Sequence, residues 1–229
     1  EKSVRNRHPW IFSGAIERAQ GQGDLVQVVS SRGEYLATGT LNHRSQITVR
    51  LLTWDAGEEI DGRFWRRRLE RAIAGRAQLA ADRATNACRL VHAEADGLPG
   101  LIVDRYGPWL VIQCLTAGMA HRREEIAALL AEMLAPAGIY ARDDADVRLK
   151  EGLPLETGLV QGEEPPDRVE IVESGPRFLV DVKRGHKTGF YLDQRVNRQL
   201  VRSFSTGREV LNCFAYTGGF GLAALRGGA

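Results

Sequence analysis

The sequence is poor in cysteine and has no long apolar run, and both absences limit what the chain can be. Its 229 residues include only three cysteines, Cys88, Cys114 and Cys213, with no C-x-x-C pair and no cluster with histidine. A bound metal needs several such ligands at close spacing, so we expect no metal site. A sparse, odd cysteine count suits a reducing compartment and predicts a cytoplasmic protein. Because no stretch approaches the ~20 apolar residues of a membrane span, we also expect no membrane partner.

Excess charge of one sign is also missing, since 31 basic residues face 29 acidic ones. The overall charge therefore selects no partner, but its distribution is uneven. Seven arginines lie between Asp61 and Arg83, against three acidic residues. This asymmetry is compatible with a face that binds a polyanion. It is equally compatible with a solvated helix face held by salt bridges, and the sequence leaves both interpretations open.

Short strands near the N-terminus predict a small β-barrel over residues 1–60. The strand candidates are Leu25–Val29, Glu34–Gly39 and Gln46–Leu52. Residues 61–85 predict a linking helix that Asp61 caps and that runs from about Gly62 to Ala81, with Trp65, Leu69, Ala72 and Ile73 on one stripe.

Residues 86–173 predict a central α+β domain. Leu101–Tyr106 and Trp109–Cys114 form a hairpin across Gly107-Pro108, a helix follows over about residues 121–135, and Ile139 begins another strand. The stretch 158–167, with Pro165-Pro166, predicts an exposed turn.

Residues 174–229 predict the beginning of an α/β, Rossmann-like domain. Arg177–Val182 is an alternating strand, and after a loop Asp193 is expected to cap a helix with Val196, Leu200 and Val201 facing inward. Glu209–Phe214 predicts a short buried strand, followed by a glycine-rich turn and the start of a helix. Because such a sheet needs further strands, we expect the chain to stop inside its cofactor site and to be inactive as given.

Three segments carry candidate chemistry, each with a simpler alternative. The turn Asn212–Gly221 matches neither G-x-G-x-x-G nor a P-loop, but its N-x-F-x-Y-T-G pattern suits S-adenosylmethionine; the alternative is a structural turn in another α/β domain. Gly185–Arg195 is dense in hydrogen-bond donors, unless it is only a cap with solvated charges. Arg5–Phe12 combines cations with aromatics that could contact single-stranded nucleic acid, unless the aromatics are barrel core.

These segments together resemble one family over essentially the whole chain. Arg7–Ala15, Asp96–Leu101, Gly185–Arg195 and Val210–Phe220 are similar, in this order, to the ribosomal RNA large subunit methyltransferase I family. The resemblance implies an N-terminal PUA domain that binds RNA, a central α+β domain and a Rossmann-like methyltransferase domain that uses S-adenosylmethionine. It implies methylation of carbon 5 of a cytidine in 23S ribosomal RNA, a reaction in which a cysteine thiolate first adds to C6.

The resemblance also implies site residues. Those expected to bind the cofactor are Gln194, Arg195, Asn212, Phe214, Tyr216, Thr217 and Gly218. Those expected to contact RNA are Arg5, Arg7, His8, Arg44 and Lys187. Asn212 departs from the acidic residue that many methyltransferases of this class carry in the turn. The catalytic residues stay unknown, because the nucleophilic cysteine is expected beyond Ala229, whereas Cys213 should pack inside its strand.

Several alternatives stay open. The chain could be a non-catalytic RNA-binding protein or fragment, or a methyltransferase acting on another base. A Rossmann oxidoreductase would need a further glycine pattern that is absent. An open sheet edge also raises the possibility of a homodimer.

Overall fold

Three sheets organise the chain in the computed structural model, which describes residues 1–20 and 24–229. The first sheet is antiparallel and follows a short helix, α1 (Lys2–Arg5). Its strands, in the spatial order β1-β4-β3-β2, are β1 (Trp10–Ile11), β2 (Leu25–Val29), β3 (Tyr35–Leu41) and β4 (Val49–Thr53). β4 lies inside the sheet and is buried at every position. The prediction for β2 is confirmed, and β3 and β4 begin one and three residues later than predicted.

The arginine-rich segment forms two helices, α2 (Gly62–Ala74) and α3 (Ala77–Ala80), instead of one. The Asp61 carboxylate accepts the Phe64 N–H at 2.9 Å and caps α2, as predicted. The helix ends at Gly75, a poor helix former, so the predicted continuation to Ala81 is interrupted. Trp65 and Leu69 are buried in the main core together with residues of the next sheet.

A five-stranded mixed sheet forms the centre of the molecule, in the order β5-β6-β7-β8-β9. The strands are β5 (Ala87–His92), β6 (Leu101–Tyr106), β7 (Trp109–Cys114), β8 (Gly138–Asp143) and β9 (Glu156–Gly162). The helices are α4 (Ala117–Ala120), α5 (Arg123–Leu134) and α6 (Val147–Lys150). β7 and β8 are parallel, and α4 with α5 supplies the crossover that such a pair requires. The predicted hairpin of β6 and β7 is confirmed.

The predicted exposed turn over residues 158–167 is wrong in its first part. Glu156–Gly162 is an edge strand, paired with β8 from Asp143–Glu156 to Gly138–Gly162. Two glycines and mostly exposed side chains made this stretch resemble a loop. Pairing with a neighbouring strand, which local composition does not report, decides its structure.

A two-stranded hairpin and two helices complete the chain. They are β10 (Val169–Val172), β11 (Arg177–Val180), α7 (Arg195–Phe204) and α8 (Gly219–Arg226). Ile171, Phe178 and Val180 pack with Tyr106 of the central sheet in a second core. The predicted inward orientation of Val196 and Leu200 is wrong, since they are 63% and 53% exposed. Arg198 takes the buried face of α7 instead, where it pairs with Glu173.

The predicted buried strand Glu209–Phe214 is not formed. The three sheets of the described residues do not include it, and Leu211 and Phe214 are almost completely exposed. A strand needs a neighbour to satisfy its backbone, and no strand of the described chain pairs with this segment. A Rossmann-like sheet is therefore not seen in this part. Cys213 is exposed instead of packed inside, so that prediction is wrong as well.

Glu151 joins the N-terminal sheet to the central domain. Its buried carboxylate accepts hydrogen bonds from Ser45 Oγ at 2.6 Å, Arg50 Nη2 at 2.8 Å and Asn42 Nδ2 at 3.0 Å. All three donors lie in or between β3 and β4, whereas Glu151 directly follows α6. The two parts are thus connected by a buried ionic contact.

Candidate functional site

Two segments that are separate in sequence meet at one place. We call them the lysine loop, residues 183–191, and the glycine turn, residues 212–221. Tyr216 of the glycine turn accepts the His186 N–H at 2.9 Å and donates its hydroxyl to the Gly189 carbonyl at 3.0 Å. The rings of His186 and Tyr216 stack with centroids 4.5 Å apart and planes 7° apart. The two segments richest in candidate chemistry therefore form one structural unit.

A third aromatic ring and a cation complete this cluster. Tyr191 lies edge-on to Tyr216, with centroids 5.5 Å apart, and its hydroxyl is 3.2 Å from His186 Nδ1. Lys187 Nζ sits 4.7 Å from the centre of the Tyr191 ring and binds both Asp193 oxygens at 3.0 and 3.1 Å. Aromatic faces beside a cation suit a ligand that combines a flat base with negative charge.

Asp193 pairs with Lys187 and does not cap α7, so the predicted N-cap is wrong. The helix begins at Arg195 without a side-chain cap, and the carboxylate faces Lys187 and Gln194. Burial opposes its ionisation, but the hydrogen bonds from Lys187 and Gln194 outweigh burial and hold the pKa of Asp193 below its usual value. The Asp193 carboxylate therefore stays charged at neutral pH.

The backbone is strained where the two segments meet. Lys187, Phe214 and Tyr216 have φ of 55°, 55° and 48°, a left-handed conformation that residues with a Cβ adopt rarely. Of the seven such non-glycine residues in the described part of the chain, these three lie in the lysine loop and the glycine turn. Strain of this kind persists only where surrounding contacts hold it, and it concentrates at functional sites.

The central sheet supplies contacts that hold the lysine loop. Arg142 of β8 donates to the carbonyls of Val182 and Gly185, both at 3.0 Å. Asp104 of β6 accepts the Thr188 hydroxyl at 2.6 Å. Arg142, Asp104 and Thr188 are all buried. The loop is thus attached near its beginning and near its end to strands far away in sequence.

Arg198 holds the start of α8. It forms a bidentate pair with Glu173, both bonds being 2.6 Å, and donates to the Tyr191 carbonyl at 2.9 Å. Its guanidinium lies 4.6 Å from the Phe190 ring and 5.8 Å from the Phe220 ring. One side chain therefore connects the turn between β10 and β11, the lysine loop and the glycine turn.

The predicted cofactor residues occupy different positions around this contact. Tyr216 is at its centre, Gly218 is the left-handed N-cap of α8, and Asn212 lies half-buried with its amide against Gly221. Phe214 and Thr217 are exposed. Gln194 contacts Asp193 and Asn197 at the start of α7, beside the half-buried Arg195. The structure brings Tyr216 to the lysine loop and links Gln194 to it through Asp193.

The predicted RNA contacts do not share one set of neighbours. Arg5 pairs with Glu34, Arg7 stacks over Trp54, and His8 contacts the backbone of Trp10, all in the N-terminal sheet region. Arg44 lies against Gly152 of the central domain. Lys187 belongs to the lysine loop.

The arginines of α2 are largely paired. Arg63 binds Asp61, Arg66 binds Glu132, and Arg67 and Arg68 bind Glu58. These contacts favour the salt-bridged helix face over a free polyanion-binding face.

Two of the three cysteines are unsuited to nucleophilic chemistry. Burial raises the pKa of the Cys88 and Cys114 thiols, so both stay protonated at neutral pH. The reactive form of cysteine is the thiolate. Cys213, in contrast, is exposed in the glycine turn.

Sequence reasoning missed the residues that support the site from outside it, namely Asp104, Arg142 and Arg198. One signal was present, because Asp104 interrupts the apolar strand Leu101–Tyr106 and buried carboxylates need partners. The burial of Arg198 was not predicted, because the apolar residues of α7 indicated a different face of the helix as the buried one.

Two protein-family models match different parts of the chain. Residues 1–54 match the model of a PUA-like domain, and residues 129–229 match the model of an S-adenosylmethionine-dependent methyltransferase. The chain is 49% identical, over 232 and 233 residues, to proteins named ribosomal RNA large subunit methyltransferase I from Shewanella amazonensis and Tolumonas auensis, with 100% of this chain covered in each case. Over its full length the chain is therefore similar to proteins named ribosomal RNA large subunit methyltransferase I. The resemblance inferred from the sequence is thereby confirmed.

The chain spans 59% of the length of these relatives, so the activity, substrate and partners of a whole protein are matters for proposal. A putative methyltransferase from Streptococcus mutans has the same fold, with a TM-score of 0.85 at 24% identity over 100% of this chain and 59% of that chain. A second solved structure, described as a putative methyltransferase complexed with SAH, gives 0.86 at 24% identity, with 100% of this chain and 58% of that chain covered. In the described residues, none of the helices has the length and apolar character needed to cross a bilayer.

Proposed function

We propose that the chain is part of an S-adenosylmethionine-dependent methyltransferase that forms 5-methylcytidine in 23S ribosomal RNA. The observation that carries the proposal is the contact between the lysine loop and the glycine turn through Tyr216. It joins a strained turn, aromatic faces and a paired lysine in a chain that is similar to these proteins over its full length. The PUA-like domain supports an RNA substrate.

The residues present suit S-adenosylmethionine. The first turn of α8 has N–H groups without partners inside the helix, and Gly218 caps it without a side chain, so a carboxylate could approach. Tyr216 offers an aromatic ring beside this turn, where an adenine could pack. Asn212, Phe214, Thr217 and Gly218 would contact the cofactor from the glycine turn, and Gln194 and Arg195 from the start of α7. When bound, S-adenosylmethionine supplies an electrophilic methyl group.

RNA would be held by the N-terminal part and by the lysine loop. Arg5, Arg7 and His8 extend from the PUA-like sheet, and Arg44 sits where that sheet meets the central domain. Lys187 would contact RNA beside the cofactor. The target base must leave its stack to reach such a pocket.

Cytosine C5 chemistry needs a thiolate that adds to C6. Cys88 and Cys114 are buried and protonated, so neither fits this role. Cys213 is exposed, but the resemblance implies a nucleophile beyond Ala229, and we propose that it lies there.

The test is isothermal titration calorimetry of S-adenosylhomocysteine against this chain and against a protein with the full length of the relatives. We expect the longer protein to bind, and its Tyr216→Ala variant to bind at least tenfold more weakly. Unmodified 23S RNA, incubated with the longer protein and S-adenosylmethionine, should then contain 5-methylcytidine by nucleoside mass spectrometry.

Each outcome has a distinct meaning. Absence of binding by the longer protein would overturn the methyltransferase proposal and favour an RNA-binding protein without catalysis. Binding with the methyl group on another nucleoside would overturn only the cytidine part.

A further inference from the structure

A buried chain of hydrogen bonds crosses from the central sheet to the lysine loop. Asp104 and Tyr106 are two residues apart on β6 and therefore face the same side of the sheet. Arg89 is opposite Asp104 in the β5–β6 register and binds both of its oxygens, at 2.8 and 2.9 Å. Thr188 Oγ1 is 2.6 Å from Asp104 Oδ2 and 2.8 Å from the Tyr106 hydroxyl, and the Phe190 N–H is 3.2 Å from that hydroxyl. We call this set the Asp104 chain.

The donor and the acceptor of each hydrogen bond in the Asp104 chain can be assigned, starting from the Asp104 carboxylate. The Asp104 carboxylate only accepts, so the Thr188 hydroxyl must donate to it. Thr188 then has only lone pairs left for Tyr106, and Tyr106 must be the donor. Burial raises the pKa of Tyr106, so its hydroxyl keeps the proton that it donates. The Tyr106 oxygen in turn accepts the Phe190 N–H.

This polarity fixes the backbone on both sides of Gly189. Thr188 and Asp104 are both 0% exposed, so a rotation of this segment would leave a buried carboxylate and a buried hydroxyl without these bonds. Gly189 itself has φ of 133°, and a Cβ there would lie 3.0 Å from Asp181 O, Val180 Cγ1 and Val182 Cα. The Gly189 carbonyl is the acceptor for Tyr216. The Asp104 chain therefore sets the position of the atom to which the glycine turn attaches.

We infer that Asp104, Thr188 and Tyr106 are positioning residues, through which the central domain sets the conformation of the lysine loop and, by way of Gly189 and Tyr216, that of the glycine turn. Their role for ligand binding rests on the proposed function. None of them needs to touch the cofactor, because they act through the hydrogen bond between the Gly189 carbonyl and Tyr216. The central domain then sets the conformation of the cofactor site, in addition to connecting the N-terminal domain to the C-terminal part.

The variant that isolates this role is Thr188→Val, which keeps the shape of the side chain and removes only the hydroxyl function. Thr188→Ser is its matched control, because it keeps the hydroxyl and loses a methyl group. Tyr106→Phe breaks the Asp104 chain at a second point. It replaces Thr188→Val as the test variant if Thr188→Val does not fold. Thermal unfolding identifies the variants that are folded.

The first readout is the imidazole of His186, one of only five histidines in the chain, observed by NMR after carbon-13 labelling. His186→Gln identifies its signal. The stacked Tyr216 ring shifts this signal in the wild type, and we expect Thr188→Val and Tyr106→Phe to move it toward the position of a free histidine while Thr188→Ser leaves it in place. A general loss of stability without loop rearrangement would not move it.

The second readout is S-adenosylhomocysteine affinity, measured in a protein with the full length of the relatives. We expect Thr188→Val to weaken binding about tenfold, the effect of losing one hydrogen bond to a charged group, and Thr188→Ser to restore it. A folded Thr188→Val protein with an unchanged His186 signal would overturn the inference. A shifted signal combined with no binding by any protein, wild type included, would support the positioning role and overturn the proposed function instead.

Discussion

At the scale of single residues, Tyr216 has two separable functions in the candidate site. Its ring stacks on His186, and its hydroxyl connects the His186 N–H to the Gly189 carbonyl. Tyr216→Phe keeps the ring and removes the connection. A neutral hydrogen bond contributes about 1 kcal/mol, so we expect the His186 amide to exchange with deuterium about fivefold faster.

Tyr191→Phe is the matched control for this experiment. Its hydroxyl contacts the His186 ring and not the His186 amide, so exchange at that amide should stay at the wild-type rate. Equal rates in wild type and Tyr216→Phe would contradict the connection seen in the structure.

The three cysteines differ in a way that a simple reagent can measure. Cys213 is exposed, whereas burial raises the pKa of the Cys88 and Cys114 thiols. Since the thiolate reacts and must be accessible, we expect one fast thiol per native chain with a colorimetric disulfide reagent. Cys213→Ser should abolish the fast phase, and unfolding in urea should release two further thiols. A fast phase that survives in Cys213→Ser would show that a buried cysteine is accessible.

At the scale of elements, the buried pair of Arg198 and Glu173 holds α7 against the β10–β11 hairpin. Both side chains are no more than 4% exposed. Replacing Arg198 by leucine leaves Glu173 buried without its cation, and breaking such a pair costs about 3–5 kcal/mol. We expect this loss in the free energy of unfolding measured with urea.

Arg202→Ala on the same helix is the control, because this side chain is exposed and should change stability by less than about 0.5 kcal/mol. The double variant Arg198→Leu with Glu173→Leu should recover part of the loss, since it leaves no unpaired charge. A single variant as stable as the control would show that the pair does not hold α7.

The same elements show how far sequence reasoning extends. The β6–β7 hairpin and the Asp61 cap depend on local patterns, and both predictions are confirmed. The failures depend on partners distant in sequence. β9 is a strand because β8 pairs with it, α7 turns Arg198 inward because Glu173 is there, and residues 209–214 lack a neighbouring strand.

The candidate site divides in the same way. Tyr216 and the lysine loop could be selected from their composition. Asp104 and Arg142 could not, because the contacts that make them important are with residues 40 to 84 positions away in sequence. Sequence patterns identify candidate ligand-binding residues more readily than the buried residues that support them.

At the scale of the whole molecule, Glu151 is the buried contact through which the N-terminal sheet and the central domain respond to pH. Burial opposes its ionisation, yet the hydrogen bonds from Ser45, Arg50 and Asn42 together hold the pKa of this carboxyl below its usual value of 4.5. In the unfolded chain Glu151 takes up a proton near the usual value, whereas in the folded chain it does so only at lower pH. Its stabilising contribution is therefore complete above about pH 4.5 and is lost as the pH falls through the lowered folded pKa.

Glu151→Gln tests this contribution directly. At pH 7 the variant leaves Arg50 without its buried carboxylate, and we expect a loss of about 3 kcal/mol in the free energy of unfolding. The difference from wild type should shrink progressively below about pH 4.5, because Glu151 of the unfolded wild-type chain takes up a proton there and Glu151 of the folded chain does so at lower pH. Glu163→Gln, which removes an exposed carboxylate of the central domain, should follow the wild-type pH profile. A Glu151→Gln difference that stays constant from pH 7 into the acid range would mean that the charge of Glu151 does not hold the two parts together, and its buried position would then have to be explained by packing alone.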